Sequence, residues 1–83
     1  MEGVAIHTTD VVFDSILALA ETALQQSAVY DLRGLNVKHR NGRLVISGTV
    51  SRFYHKQLAQ ELVRGISGEI DVINVVRVLN PPR

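Results

Sequence analysis

An Asn-Gly pair at positions 41 and 42, set between two stretches of alternating apolar and polar residues, constrains this chain more than any other feature. The pair favours a two-residue type I′ turn, in which both central residues need positive φ. Leu35-Asn36-Val37-Lys38-His39-Arg40 precedes it and Arg43-Leu44-Val45-Ile46-Ser47-Gly48-Thr49-Val50 follows, each with the period of a half-buried strand. So short a turn fixes the register: Arg40 opposite Arg43, His39 opposite Leu44, Lys38 opposite Val45, Val37 opposite Ile46 and Leu35 opposite Gly48. One face then carries Leu35, Val37, His39, Leu44, Ile46, Gly48 and Val50. The other carries Asn36, Lys38, Arg40, Arg43, Val45, Ser47 and Thr49. Alternation and turn chemistry agree on which side is the core.

A helix is expected before the hairpin from about Val11 to Ser27, with Asp10 as its cap, Asp14 in its first turn, and Phe13, Ile16, Leu17, Ala20 and Leu24 at helical spacing. Ser51 is placed to cap a second helix running to about Gly65, with Leu58, Ala59, Leu62, Val63 and Ile66 as its apolar stripe. Gly68 ends that segment. Ile70, Val72, Asn74, Val76 and Val78 alternate as a third strand until Asn80-Pro81-Pro82 stops it, because proline donates nothing to a ladder. A right-handed crossover through the second helix lays the third strand parallel to the second. The expected class is α+β, a two-layer αββαβ sandwich whose mixed three-stranded sheet carries two helices on one face and leaves the other open. Residues 10–80 form the domain, between a disordered N-terminal segment over 1–9 and a disordered tail over 81–83.

The 83 residues suffice for one core, and 46% hydrophobic with 20% charged residues reads as globular. There are no cysteines, so neither a disulfide scaffold nor a thiolate metal site is available, and the compartment stays open on that count. Asp14, Glu21 and Gln25-Gln26 interrupt the longest apolar stretches well short of the roughly 20 residues that span a bilayer, so a soluble domain is expected. Met1-Glu2-Gly3-Val4 does not resemble the start of a signal peptide. The net charge of +1 conceals a segregation. Up to Asp31 stand Glu2, Asp10, Asp14, Glu21 and Asp31 with no lysine or arginine; beyond it lie all nine basic residues against Glu61, Glu69 and Asp71. An acidic first helix and a basic remainder make the domain an electric dipole.

In this order of elements the chain resembles the BON domain of bacterial osmotic-stress and nodulation proteins. The resemblance covers nearly the whole chain and rests on Asn41-Gly42, Leu44, Ile46, the run Ser47-Gly48-Thr49-Val50-Ser51, Ala59, Ile66, and Gly68 followed by Val72, Asn74, Val76 and Val78. Glu69 stands where the family has valine after the glycine, and His39 where the first strand has an apolar residue. The resemblance implies a non-catalytic attachment module that binds phospholipid surfaces or cell-envelope partners, often in tandem or fused to other domains of exported or membrane proteins. It implies no cofactor. With an export signal on the full-length protein, it places the domain in the bacterial periplasm or envelope.

The candidate binding residues lie on the open sheet face, where Lys38, Arg40, Arg43 and Arg77 would surround Val45, Ile73 and Val75. An anion between Arg40 and Arg43 would relieve their repulsion; the plain alternative is a solvated face with edge-protecting charges. Phe53 and Tyr54, beside Arg52, His55 and Lys56, read either as an interfacial anchor or as cover for a core edge. Gly42, Gly48, Gly68 and Asn74 read as structural: a turn, a close approach of helix and sheet, a helix end, and an amide that satisfies backbone groups. His7, His39 and His55 lack metal-site spacing, and Ser47 and Ser51 have no recognisable base, so no metal and no catalysis are expected. The expected partner is an anionic phospholipid surface or an envelope protein. The main rival is a protein-interaction or homo-oligomerisation scaffold without lipid. Gly65-Ile66-Ser67-Gly68 spells the GxxG of a KH domain, a nucleic-acid reading weakened by Glu69 and Asp71 behind it and by the lack of stacking aromatics on the sheet.

Overall fold

The computed structural model describes residues 3–79, with side chains from Val12 onward. Helix α1 spans Gly3–Gln25 and so begins well before Val11. No proline or turn pair separates Val4-Ala5-Ile6 from Val11-Val12-Phe13, and a nucleated helix gains one backbone hydrogen bond with each added residue. Asp10 is therefore an interior position and not the cap, and Asp14 lies near the middle of α1 and not in its first turn. The backbone over 3–9 is helical where the sequence suggests a disordered segment; the expected tail over 81–83 lies outside the described residues. Ala20 and Leu24 of α1 are fully buried, with Ile16 and Leu17 packed beside them. A 3-10 helix, Tyr30–Gly34, then lowers Leu32 into the core.

Strands β1 (Asn36–Arg40) and β2 (Arg43–Ser47) form the hairpin in the expected register, from Arg40 opposite Arg43 to Asn36 opposite Ser47. Asn41 at φ 51° and Gly42 at φ 76° supply the two positive values a type I′ turn needs. After Gly48 the chain resumes as β3 (Thr49–Val50), then enters helix α2 (Phe53–Ser67) and returns as β4 (Val72–Asn74) and β5 (Arg77–Val78). Strand β4 lies parallel to β2, giving a mixed sheet of order β1-β2-β4, while β5 pairs in parallel with β3 as a separate ladder. The long second and third strands read from the sequence are thus each divided in two.

The division is a bend and not a slip of register. Leu44 faces Val72 and Val50 faces Val78, the same offset on both sides of the break. Hydrogen bonds cross it without a gap: Val75 N–H to Ile46 O at 2.9 Å, Arg77 N–H to Gly48 O at 2.9 Å and Leu79 N–H to Val50 O at 2.8 Å. Its cause is Gly48, at φ 126°, where an added Cβ would sit 2.7 Å from Leu35 Cδ2. Asn74 braces the other strand at the same level. Its amide nitrogen donates to Lys56 O at 2.8 Å and Gln60 Oε1 at 3.3 Å, while its oxygen accepts from Val76 N–H at 3.1 Å. The alternation that suggests an unbroken strand survives the bend, which is why the sequence does not reveal it.

Val37, Leu44, Ile46, Val50 and Val76 share one face of the strands and join Ala20 and Leu24 of α1 and Ala59 and Val63 of α2 in a single cluster. Both helices therefore cover that face. His39 has core-facing parity but lies at the margin, exposed, where its ring stacks on Phe13 with centroids 3.8 Å apart and planes 7° from parallel. An aromatic contact replaces the apolar residue expected there. At the start of α2 the cap position is Arg52, with no side-chain hydrogen bond, because Ser51 is engaged elsewhere. At its end α2 continues past Gly65 to Ser67, whose buried hydroxyl donates to Ile70 O at 3.1 Å, and Gly68 turns the chain at φ 65°. The GxxG thus forms a helix end leading into a strand.

Candidate functional site

The open face of the sheet can be read row by row from the register. Arg40 and Arg43 face one another in the first row, Lys38, Val45 and Ile73 form the second, and Ser47 and Val75 the third beside Asn36. Arg77, opposite Thr49, closes the apolar strip at its other end. Lys38, Arg40, Arg43, Ile73, Val75 and Arg77 are all exposed. Lys38, Arg40, Val45, Ser47 and Val75 line a shallow, open hollow of about 300 Å³. A larger hollow of about 470 Å³, at the end of α2, mixes Arg43 and Arg64 with Glu69 and Asp71 and so favours no sign of charge. Among the described residues the only ion pair joins His55 to Asp31, so no described carboxylate lies within ion-pair distance of Lys38, Arg40 or Arg43, although Asp71 lines a hollow with Arg43.

The expected binding residues fall into two groups. Lys38, Arg40 and Arg43 share the hairpin end. Arg77 sits six residues along from Arg43 by register, about 20 Å away at strand rise. Phe53 and Tyr54 open α2 at that far end and in the helix layer, so they do not share a surface with the basic corner. Tyr30 is exposed nearby, with the Arg33 guanidinium 5.7 Å from its ring centroid.

At this far end the structure assembles a cluster with no local signature in the sequence. Asp31 Oδ2 accepts from Ser51 N–H at 2.7 Å, Ser51 Oγ at 2.5 Å and His55 Nδ1 at 2.8 Å. A carboxylate can only accept, so the imidazole donates. Hydrogen bonds from the Ser51 hydroxyl and backbone, then from His55, favour the charged form and hold Asp31 at about 2 against an ordinary 3.8. The order of groups bears on chemistry. In acyl-transfer triads the histidine stands between serine and carboxylate and takes the serine proton, whereas here the carboxylate stands between the other two. Asp31 accepts a hydrogen bond from the Ser51 hydroxyl but, with its charged form so favoured, is a weak base toward that proton, and the three residues form a clasp between the 3-10 helix and the first turn of α2. Among the described residues no three histidine, aspartate or glutamate side chains gather as a metal site.

A family model, the BON domain, matches residues 16–80. The chain belongs to the BON domain family. No curated protein matches it. BON domains are modules that bind membranes, phospholipids or other proteins, and a flat, open face fits such a role better than an enclosed pocket would. The match begins at Ile16, inside α1, so the first half of that helix precedes the matched part of this BON domain. Among the described residues no helix is long and apolar enough to cross a membrane.

Proposed function

We propose that this BON domain attaches its parent protein to an anionic phospholipid surface through the open face of its sheet. The observation that carries this reading is the corner formed by Lys38, Arg40 and Arg43, without a carboxylate partner among the described residues, beside exposed Ile73 and Val75. Phosphate groups between Arg40 and Arg43 would remove a cross-strand repulsion that the fold otherwise carries. Three cations near an anionic membrane contribute about 1 kcal/mol each. Their sum of about 3 kcal/mol falls short of the roughly 4 that corresponds to millimolar affinity. The apolar strip or several linked copies must add the rest, which suits a module that works in tandem. With an export signal on the full-length protein, attachment of this kind places the domain in the bacterial periplasm or envelope.

Co-sedimentation with anionic and neutral vesicles tests the proposal. Binding to anionic vesicles alone, weakened by salt and lost in Arg40→Glu/Arg43→Glu with the fold intact, is the expected result. Equal binding by that variant, or no binding to anionic vesicles at low salt, overturns it and directs attention to an envelope protein as partner.

A further inference from the structure

The outer face of α1 is another large surface without a partner among the described residues, and from Val12 onward it is the electrical opposite of the basic corner of the sheet. Val12 and Leu19, seven residues apart and 50% and 60% exposed, lie along one flank of the helix. Asp14 and Glu21, also seven apart, lie along the other. Ser15, Ala18 and Thr22, all small and exposed, fill the space between. The open sheet face has the same division, with Lys38, Arg40 and Arg43 in one corner and Val45, Ile73 and Val75 in the adjoining strip. Among the described residues neither Asp14 nor Glu21 has an ion-pair partner.

We infer that α1 of one copy docks on the open sheet face of a second copy. The acidic flank meets the basic corner, Val12 and Leu19 meet the apolar strip, and the small residues let the helix approach the sheet closely. A chain cannot satisfy its own sheet this way, because its α1 packs on the opposite, core face. The contact joins two different patches, so it is head-to-tail and extends until a ring closes or a filament forms. Val12 and Asp14 precede the part of the chain that matches the family, and Leu19 and Glu21 fall within it. It stands independently of lipid attachment but uses the same sheet face, so the two occupants compete.

A charge swap tests it, read by analytical ultracentrifugation of the whole chain at about 10 mM and about 150 mM salt, where the screening length falls from about 30 Å to about 8 Å. The helix variant is Asp14→Lys/Glu21→Lys. Asp14→Lys/Ala18→Lys, with both sites exposed, serves as a second in case the half-buried Glu21 position resists change. The sheet variant is Arg40→Glu/Arg43→Glu. Wild type should associate at low salt, and each variant alone should associate about a hundredfold more weakly, as juxtaposed like charges require. An equimolar mixture of helix and sheet variants should recover association, since the reversed charges again complement one another. Wild type that stays monomeric at about 1 mM protein, a folded variant that associates as wild type does, or a mixture of folded variants that stays monomeric overturns the inference. Asp14→Asn/Glu21→Gln, which leaves the basic corner intact and adds no cation to α1, should still bind anionic vesicles, and so reports on lipid attachment separately from self-association.

Discussion

The two ends of the sheet are built on different principles. At the hairpin end, contacts join residues close in sequence: Asn41 and Gly42 make the turn, and the register runs outward from it. At the other end Asp31 meets Ser51 and His55 across 20 and 24 positions, and Gly48 lets the sheet bend over Leu35. The local end holds its charges out on an open face, whereas the distant end spends its polar groups on one another. Recognition thus has room at the first, while the second holds the layers together.

The largest expected effect separates the two ends through their glycines. Gly48→Val combines positive-φ strain with a Cβ 2.7 Å from Leu35 Cδ2, and Leu35 is buried, so it moves only at the expense of core packing. Together these cost about 3 kcal/mol or more, a large part of the roughly 5 to 10 kcal/mol available to a small domain. Gly42→Ala meets nothing within 4 Å and carries only the strain of φ 76°, so about 1 kcal/mol is expected. Chemical denaturation of both variants decides the point: equal losses would mean that the approach to Leu35 does not shape the bend.

Asp31→Asn should have the next largest effect, since a neutral amide accepts more weakly from Ser51 and His55. Its signature is a dependence on pH. The folded carboxyl titrates near 2 and the unfolded one near 3.8, so the unfolded state takes up the proton first as pH falls. Stability from Asp31 is therefore complete above about pH 4 and is lost as pH drops towards 2. Denaturation midpoints measured across that window should fall less steeply in Asp31→Asn than in wild type. Parallel curves would show that the clasp does not fasten the 3-10 helix to α2.

What could be read from the sequence follows the same divide. The hairpin, its faces and the parallel return of β4 follow from a turn pair, an alternation and the handedness of crossovers, all rules of short range or general topology. The start of α1 is not legible because Asp10 has the chemistry of a cap, although the chain ahead of it contains nothing to stop a helix. Ser51 has the chemistry of a cap as well, and only the fold brings Asp31 close enough to claim it. The basic corner is legible because β1 and β2 are neighbours in sequence. The separation of Phe53 and Tyr54 from that corner is not, because it depends on where α2 starts relative to the bend at Gly48.

The smallest effect on stability is the most useful for function. Arg40 and Arg43 face each other across the turn, and like charges directly opposite destabilise a hairpin by a few tenths to about 1 kcal/mol. Arg40→Glu turns that pair into an attraction, so the variant should be slightly more stable than wild type, by about 0.5 kcal/mol. Its binding to anionic vesicles should nevertheless fall, because the corner changes by two units of charge. Stability and binding moving in opposite directions is a result that loss of fold cannot imitate, and it would mark Arg40 as a residue kept for recognition at a cost to the hairpin. A variant that gains stability and binds vesicles as well as wild type would instead identify the charges of the open face as protection for an exposed sheet, and would move the search for a partner to the far end, where Tyr30, Phe53 and Tyr54 are exposed.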